Sequence, residues 1–327
     1  MRKNLCFRVV KIICISLLSV VTFLLLVIGG LNIFKHFYYR DYFSAMTKVG
    51  KIAGLSEGFV PQGITYFDEG DNSFFVSVGY MSDGSASRIY AVDEKSGNKL
   101  FFNITSGGQD FYGHTGGIQY EDGYFYLAND GTGIYRFKSD FIVSGQSGSS
   151  VEIGNVLPLI NHSSFVFSQP GYLYVGEFNN DTKYSCTNSI SYNGVNHMAI
   201  VGKYDINELD FSGTNIPPKP VAVYSIPNEI QGFCITDKGS IVLSRSYSVS
   251  SSNFLVYNQE DVVDTGDFYE GAPVYFLGEP GNNILGPAMS EDLDLYNDMV
   301  ITHFESACHK YFFGKLFFAN YIAGLKL

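Results

Sequence analysis

The feature that most constrains the fold is a strand signature that recurs five times along the chain. In each copy a glycine or another small residue opens a short apolar strand, a turn follows, and a second aromatic-rich strand comes next. Repetition at this scale is typical of repeat architectures, and four-stranded sheets arranged radially make a β-propeller. The signatures start at Gly63, Gly117, Ser164, Gly232 and Gly286.

The intervals between these starts predict an all-β, five-bladed β-propeller. A compact blade takes about 40 to 45 residues, so each interval holds one blade and none holds two. The longest interval contains a polar insertion at residues 179–196, which we interpret as a loop of the third blade. With no Trp in the chain, 28 Phe and 24 Tyr fill the core. A six-bladed ring is the alternative.

The last repeat predicts how the ring closes. Strands fit at residues 289–293, 299–304 and 316–325, after which one outer strand is missing. Residues 46–55, which precede the first blade, have the apolar content to supply it. Pairing the two ends would remove the exposed edge strands of an open ring. We therefore expect the propeller to span residues 46–327.

An uncharged apolar run at residues 12–34 is long enough to cross a hydrocarbon core of about 30 Å as a helix. Residues 1–11 are basic, which predicts a cytoplasmic tail, a retained signal anchor and an extracytoplasmic propeller at the cell membrane. A cleaved signal peptide and a lipoprotein are the alternatives. Residues 35–45 are expected to form a stalk at the bilayer surface, with an interfacial belt of Phe37, Tyr38, Tyr39, Tyr42 and Phe43.

The charge balance restricts the partners. The formal net charge is −11, and the basic residues of the tail make the remainder more acidic still. Such a surface repels phosphate backbones, so we expect no nucleic-acid partner. The expected partners are the lipid bilayer, through the N-terminal helix, and an extracytoplasmic ligand or protein.

Polar side chains near the inner strands are the candidate site residues. Side chains that converge on a propeller axis share one cavity, and a cavity with convergent polar groups is the first place to look for a site. Seven polar residues lie beside the starts of inner strands or at the ends of second strands. They predict an axial mouth made of Gln62, His114, Glu177, Gln231, Arg245, His303 and Glu305.

Three of these candidates could hold a divalent metal ion. Glu177, His303 and Glu305 supply carboxylate and imidazole ligands that could leave a water exposed. Glu177 and Glu305 each follow an apolar second strand, so they could also act as a carboxylate pair in hydrolysis. The alternative is that these groups satisfy the backbone and one another around a water-filled channel.

From residue 58 onward the chain resembles exported bacterial β-propeller proteins of the broad YVTN and SMP-30-like group. The likeness rests on VPQGI at 60–64, SRIYAVD at 87–93, GHTGG at 113–117, SRSY at 244–247 and FES at 304–306. A weaker resemblance, to five-bladed glutaminyl cyclases, rests on the Gln-Gly strand starts. Where those cyclases carry an acidic residue in the second blade, this chain has GHTG at 113–116.

The sequence thus predicts a membrane-anchored extracytoplasmic propeller that acts as a ligand-binding or protein-binding module. The resemblance implies the alternative, an enzyme with its site at the axis. That enzyme would be a metal-dependent, lactonase-like hydrolase with His114 as acid or base, or a cyclotransferase-like enzyme. A purely structural surface protein is the third possibility.

Overall fold

The computed structural model of the chain describes residues 2–129, 131–311 and 319–327. Helix α1 (Arg2–Tyr38) leads into the short helix α2 (Arg40–Ala45), and a third helix, α3 (Asp140–Ser144), lies on the surface of the second blade. The segment Val10–Tyr38 contains an 18-residue window with a mean hydropathy of 2.9, and no residue of that window is buried. By length and composition it is a candidate membrane span, as predicted.

The rest of the described chain is a five-bladed β-propeller, so the fold prediction is confirmed and the six-bladed alternative is wrong. Each blade is a four-stranded antiparallel sheet that starts at the axis and ends at the rim. Blade 1 contains Phe59–Glu69, Asn72–Met81, Arg88–Asp93 and Lys99–Ser106. Blade 2 contains Gly117–Glu121, Tyr124–Ala128, Gly131–Lys138 and Leu157–Ser163.

The other three blades follow the same order from axis to rim. Blade 3 contains Phe165–Gln169, Tyr172–Gly176, Ala199–Asp205 and Ala222–Ile226. Blade 4 contains Ile230–Ile235, Ile241–Arg245, Ser252–Tyr257 and Asn282–Gly286. Blade 5 contains Asp294–Tyr296, Met299–Thr302, Tyr321–Leu325 and Met46–Lys51. The blade-3 insertion carries a hairpin of Ile190–Tyr192 and Val195–His197.

The ring closes where the two ends of the propeller meet, as expected. Met46–Lys51 pairs antiparallel with Tyr321–Leu325, with Met46 opposite Leu325 and Lys51 opposite Tyr321. The closing strand is shorter than the predicted 46–55, because Leu55–Glu57 forms a 3₁₀ turn. Both ends of the domain are therefore hydrogen-bonded inside one sheet, which removes two open edges.

The predicted start of the fifth repeat at Gly286 is wrong. Gly286 ends the outermost strand of blade 4, and the innermost strand of blade 5 is Asp294–Tyr296 instead of residues 289–293. The signature misleads because the residue of blade 5 in register with the inner glycines is Asp292. Of the strand predicted at 316–325, residues 316–318 lie outside the described residues.

The outer edges of four blades are covered by segments that belong to the next blade. Ser150–Glu152 pairs with the rim strand of blade 1, and Ala272–Leu277 pairs with the rim strand of blade 3. Leu209 and Phe211 pack on the rim of blade 2, and helix α2 packs on the rim of blade 4. These contacts cover strand edges that would otherwise template association with another chain.

The predicted stalk is in part a core element. Tyr39 and Tyr42 of this segment are buried, and Tyr42 stacks on Phe254 with ring centroids 6.1 Å apart. Only Phe37 and Tyr38 of the expected belt are strongly exposed. The reason is that helix α2 fills the space between blades 4 and 5, where an aromatic side chain gains more from burial than at a surface.

Candidate functional site

Each of the five blades delivers one residue, from its innermost strand or from the segment just before it, to a ring at one end of the axis. In three blades the ring residue is followed by a glycine, and close packing at the axis explains this glycine. A Cβ on Gly63 would lie 2.6 Å from the Ile118 amide nitrogen, and one on Gly232 would lie 2.8 Å from the Leu293 amide nitrogen. Only glycine permits such an approach. The ring residues are Gln62, Gly116, Ser164, Gln231 and Glu291.

This ring forms the floor of a cavity of about 280 Å³, which we call the axial cavity. The blade-3 insertion and the chain just before it supply Phe178, Lys183 and Tyr184 to its wall. Tyr247 from blade 4 and Tyr311 from blade 5 complete the aromatic lining. A concave pocket that combines aromatic walls with a few convergent polar groups is the usual form of a ligand site.

A hydrogen-bonded cluster fixes the blade-5 side of the cavity. The Tyr80 hydroxyl donates to Glu305 Oε1 at 3.0 Å, and the Lys310 ammonium donates to the Tyr80 oxygen at 2.8 Å. Tyr311 lies 3.3 Å from the same hydroxyl, and the His114 ring stacks on Tyr80 at 5.3 Å. Burial and then the Glu305 charge raise the pKa of Tyr80, which keeps this phenol protonated.

Two buried carboxyl groups lie on the axis beneath the ring. Asp292 Oδ2 accepts the Ile118 amide at 3.2 Å, while its Oδ1 has no hydrogen-bond partner among the described residues. Asp294 Oδ2 accepts from the Thr65 hydroxyl at 2.7 Å and from the Tyr66 amide at 2.8 Å. Burial raises the pKa of both carboxyl groups, that of Asp294 to about 6. These groups tie blade 5 to blades 1 and 2.

Four of the seven predicted site residues line the axial cavity, namely Gln62, His114, Gln231 and Glu305. Gln62 is almost fully buried and donates to the Pro61 carbonyl at 2.9 Å. The prediction of Gln62 was based on its position directly before the inner-strand glycine Gly63. Gln231 occupies the equivalent position in blade 4 and lies partly exposed at the ring.

Glu177 lies away from the cavity, in a structural network. Its two oxygens accept the Asn188 amide, both at 2.7 Å, and also the backbone amides of His162 and Ile200, both at 3.0 Å. Burial raises its pKa, and these hydrogen bonds oppose that rise. Glu177 therefore anchors the base of the blade-3 insertion, through Asn188, to the rim strand of blade 2 and to a strand of its own blade.

Arg245 and His303 also lie outside the cavity lining. Arg245 forms an ion pair of 3.3 Å with Glu229. His303 is fully buried, with Nδ1 3.4 Å from the Ser77 hydroxyl, and burial lowers its pKa to about 4. Its Nε2 has no hydrogen-bond partner among the described residues. A neutral imidazole at this position packs blade 5 against blade 1.

The three predicted metal ligands are not brought together. Over residues 2–129, 131–311 and 319–327, no three His, Cys, Asp or Glu side chains group in a way that could hold a metal ion. Glu177 belongs to the insertion network, His303 lies between two blades, and only Glu305 reaches the cavity.

Sequence reasoning missed most of the cavity wall. Phe178, Lys183, Tyr184 and Tyr311 come from loops that have no periodic pattern, so nothing in the sequence marks them as neighbours. Glu291 was missed for a different reason, because the innermost strand of blade 5 was predicted at residues 289–293, ahead of its true position at Asp294–Tyr296. Aligning Glu291-Asp292-Leu293 with Gln62-Gly63-Ile64 would have found it.

The fold and this cavity define the class of protein as a five-bladed β-propeller with an N-terminal candidate membrane helix and an aromatic, polar mouth. No protein-family model and no curated protein matches the sequence. The structure establishes the propeller that the resemblance predicts. The narrower YVTN, SMP-30-like and cyclase assignments are not supported by any family match.

Among solved structures the chain is similar to several propellers. One is the PQQ-bound aldose sugar dehydrogenase of Streptomyces coelicolor, at 15% identity and TM-score 0.43 over 79% of this chain and 77% of that one. Another is BamB of Moraxella catarrhalis, at 7% identity and TM-score 0.34 over 82% and 83%. A third is a putative glucose dehydrogenase of Thermus thermophilus, at 10% identity and TM-score 0.39 over 86% and 99%. Similarities at this level assign no ligand or activity to this chain.

Proposed function

We propose that this protein is a membrane-anchored, extracytoplasmic binding module that holds its ligand in the axial cavity. The observation that carries the proposal is the construction of that cavity. A ring from all five blades forms its floor, and an insertion of one blade, with Phe178 just before it, walls it with aromatic and charged side chains. A closed ring is stiff, so such a site is largely formed before the ligand arrives.

The proposed orientation rests on the charges that precede the apolar segment of helix α1. Arg2, Lys3, Arg8 and Lys11 precede the apolar segment without one acidic residue. By the positive-inside tendency, this arrangement favours a cytoplasmic N-terminus and an exported propeller. The docking of Tyr39 and Tyr42 into blades 4 and 5 would then hold the propeller close to the bilayer surface.

The geometry favours binding over metal-assisted hydrolysis as the first hypothesis. Of the predicted metal ligands, Glu177 has both oxygens engaged by hydrogen bonds. His303 is fully buried between two blades, and this burial lowers its pKa. The lactonase-like and cyclotransferase-like enzymes stay predictions, and turnover of a lactone or of an N-terminal glutaminyl peptide by the purified protein would favour one of them.

The proposal is tested by filling the cavity. Gln231→Trp places a bulky side chain at the ring, and Gln146→Trp makes the same change at an exposed position outside the cavity lining. The full chain in lipid nanodiscs is screened by ligand-observed NMR against a panel of peptides, glycans and small zwitterions. We expect binders that are lost in Gln231→Trp and kept in Gln146→Trp. Binders that both variants retain would place the ligand site elsewhere.

A further inference from the structure

The candidate membrane span joins the propeller at the end of the axis where the cavity opens, here called the mouth face. In blade 4 the loop between the second and third strands, residues 246–251, supplies Tyr247 and Ser248 to the cavity lining. Tyr39, the first residue after helix α1, has its hydroxyl 2.9 Å from the Ser251 hydroxyl of this loop. The membrane segment therefore ends within one short loop of the cavity wall.

From this point the chain leads away to the other end of the axis. Helix α2 follows Tyr39, and the carbonyl of its last residue, Ala45, accepts from the Lys326 amide at 3.1 Å. The Lys326 ammonium pairs at 3.5 Å with Asp298, in the turn between the first and second strands of blade 5. That turn lies on the face opposite the cavity. Helix α1 is consequently attached at the mouth face, and α2 descends from it.

Exposed apolar side chains lie on the mouth face, both beside the anchor and away from it. Phe37 and Tyr38 are exposed at the end of the candidate span, and such rings are favoured at a membrane interface. Val249 is exposed in the blade-4 loop that contacts the anchor. Tyr112 is exposed in the connection between blades 1 and 2, two residues before the cavity-lining His114.

The two faces of the propeller differ in charge. In the described part of the mouth-side loops, between second and third strands, buried Glu177 is joined by Asp83, Asp181, Glu305, Lys183 and Lys310. On the opposite face, the turns between first and second strands, with one flanking residue on each side, contain one lysine, Lys238. The same turns contain six carboxylates: Glu69, Asp71, Glu121, Asp122, Asp237 and Asp298. An anionic lipid surface therefore repels the opposite face more strongly than the mouth face.

We propose that the mouth face docks on the surface of the bilayer that helix α1 spans. The partner is the layer of phospholipid headgroups, which accommodates exposed aromatic and apolar side chains and repels the less acidic face least. This inference rests on the proposed function, because docking requires the membrane anchor. A docked mouth opens onto the headgroup layer, so ligands reach the axial cavity along the membrane surface.

The test uses the absence of Trp from the chain. Val249→Trp and Tyr112→Trp each place one indole on the mouth face, the first beside the anchor and the second away from it. Lys238→Trp and Asp71→Trp are the matched controls, at exposed turns on the opposite face of blades 4 and 1. The second strand of blade 4, Ile241–Arg245, spans about 16 Å, which separates the two faces.

Each variant of the full chain is reconstituted in nanodiscs of phosphatidylcholine and phosphatidylglycerol. Parallel nanodiscs contain phosphatidylcholine with a nitroxide on its headgroup, which quenches indole emission at short range. We expect a loss of emission from Val249→Trp and from Tyr112→Trp, and none from the two controls, because only the mouth face meets the headgroups. Thermal unfolding checks that each variant is folded.

The outcomes separate this inference from the proposed function. Loss of emission from Val249→Trp alone would mean that the propeller stands on its edge beside the anchor, and it would overturn the docking. Any other pattern, including loss from a control or from no variant, would overturn it as well. The proposed function stands in these cases if the protein stays in membranes washed with alkaline carbonate and its panel binders are lost in Gln231→Trp. Release by the carbonate wash would overturn the anchor, and with it both proposals.

Discussion

At the scale of single residues, close packing at the axis is met by a glycine in three of the five blades. Gly63, Gly117 and Gly232 lie where a Cβ would meet the backbone of the next blade. Blade 5 has Asp292 in the same register, and Asp294 follows two residues later. The chain thus places two ionisable groups at the most buried part of the ring, where the charged form is disfavoured.

This burial predicts a pH dependence of stability. The pKa of Asp294 is about 6 in the folded protein, compared with about 3.9 when unfolded, so the folded state binds more protons between these values. The free energy of unfolding therefore falls as the pH rises from about 4 to about 6. Asp294→Asn should remove up to about 3 kcal/mol of that fall. Chemical denaturation of the full chain in detergent at several pH values measures it.

The pH dependence of the wild-type protein alone does not isolate Asp294, because a second buried group changes the free energy of unfolding in the opposite direction. His303 has a pKa of about 4 in the folded protein, which adds stability as the pH rises over nearly the same range. The difference between Asp294→Asn and wild type isolates the aspartate. Asp298→Asn, at an exposed position with an ion pair to Lys326, is the control. A wild-type pH profile in Asp294→Asn would contradict the account.

At the scale of elements, helix α2 determines how the membrane segment is attached to the propeller. Tyr42 is fully buried against Phe254 and Phe304, and a Cβ on Gly286 would lie 3.3 Å from its ring. An isolated helix of six residues is not stable in water, so this packing holds it. The linker between the candidate membrane span and blade 5 is consequently part of the folded domain.

Removing this aromatic contact tests the attachment. Tyr42→Ala should lower the free energy of unfolding by about 3 to 5 kcal/mol, because it leaves a cavity between two blades. Tyr38→Ala changes a half-exposed ring of the same segment and should cost far less. Equilibrium denaturation of both variants provides the measurement, and equal destabilisation would mean that α2 does not dock as described.

The sequence predicted elements well wherever their pattern was repeated. Four blade starts and the closing strand were found, because apolar alternation and inner glycines reflect the packing of every blade. The start of blade 5 was predicted at the wrong residue, because Asp292 stands at the position that a glycine occupies in three other blades. The cavity wall could not be predicted, because Phe178, Lys183 and Tyr311 meet only through loop conformations that have no periodic signal.

At the scale of the whole molecule, one strand pairing closes the ring. Lys48 lies opposite Ala323 in the sheet that joins the two ends of the domain. A cross-link at this point encloses nearly the entire propeller in one covalent loop. Such a loop restricts the unfolded chain more than a local bridge does.

Lys48→Cys with Ala323→Cys should therefore form a disulfide on oxidation and raise the free energy of unfolding by about 2 to 4 kcal/mol. The control, Lys48→Cys with Asp71→Cys, joins two residues that do not pair and should not cross-link. Non-reducing electrophoresis and melting before and after reduction provide the data. Failure of the first pair to cross-link in folded protein would contradict the closure.

The central claim is that ligands enter the axial mouth of a closed propeller. Because the chain has no Trp, Tyr184→Trp places a single indole at the axial cavity and Tyr172→Trp places one in blade 3 outside that cavity. The most direct measurement is the fluorescence emission of each variant during titration with binders from the panel. The account predicts a saturable change for Tyr184→Trp alone. Equal changes in both variants, or a change confined to Tyr172→Trp, would contradict it.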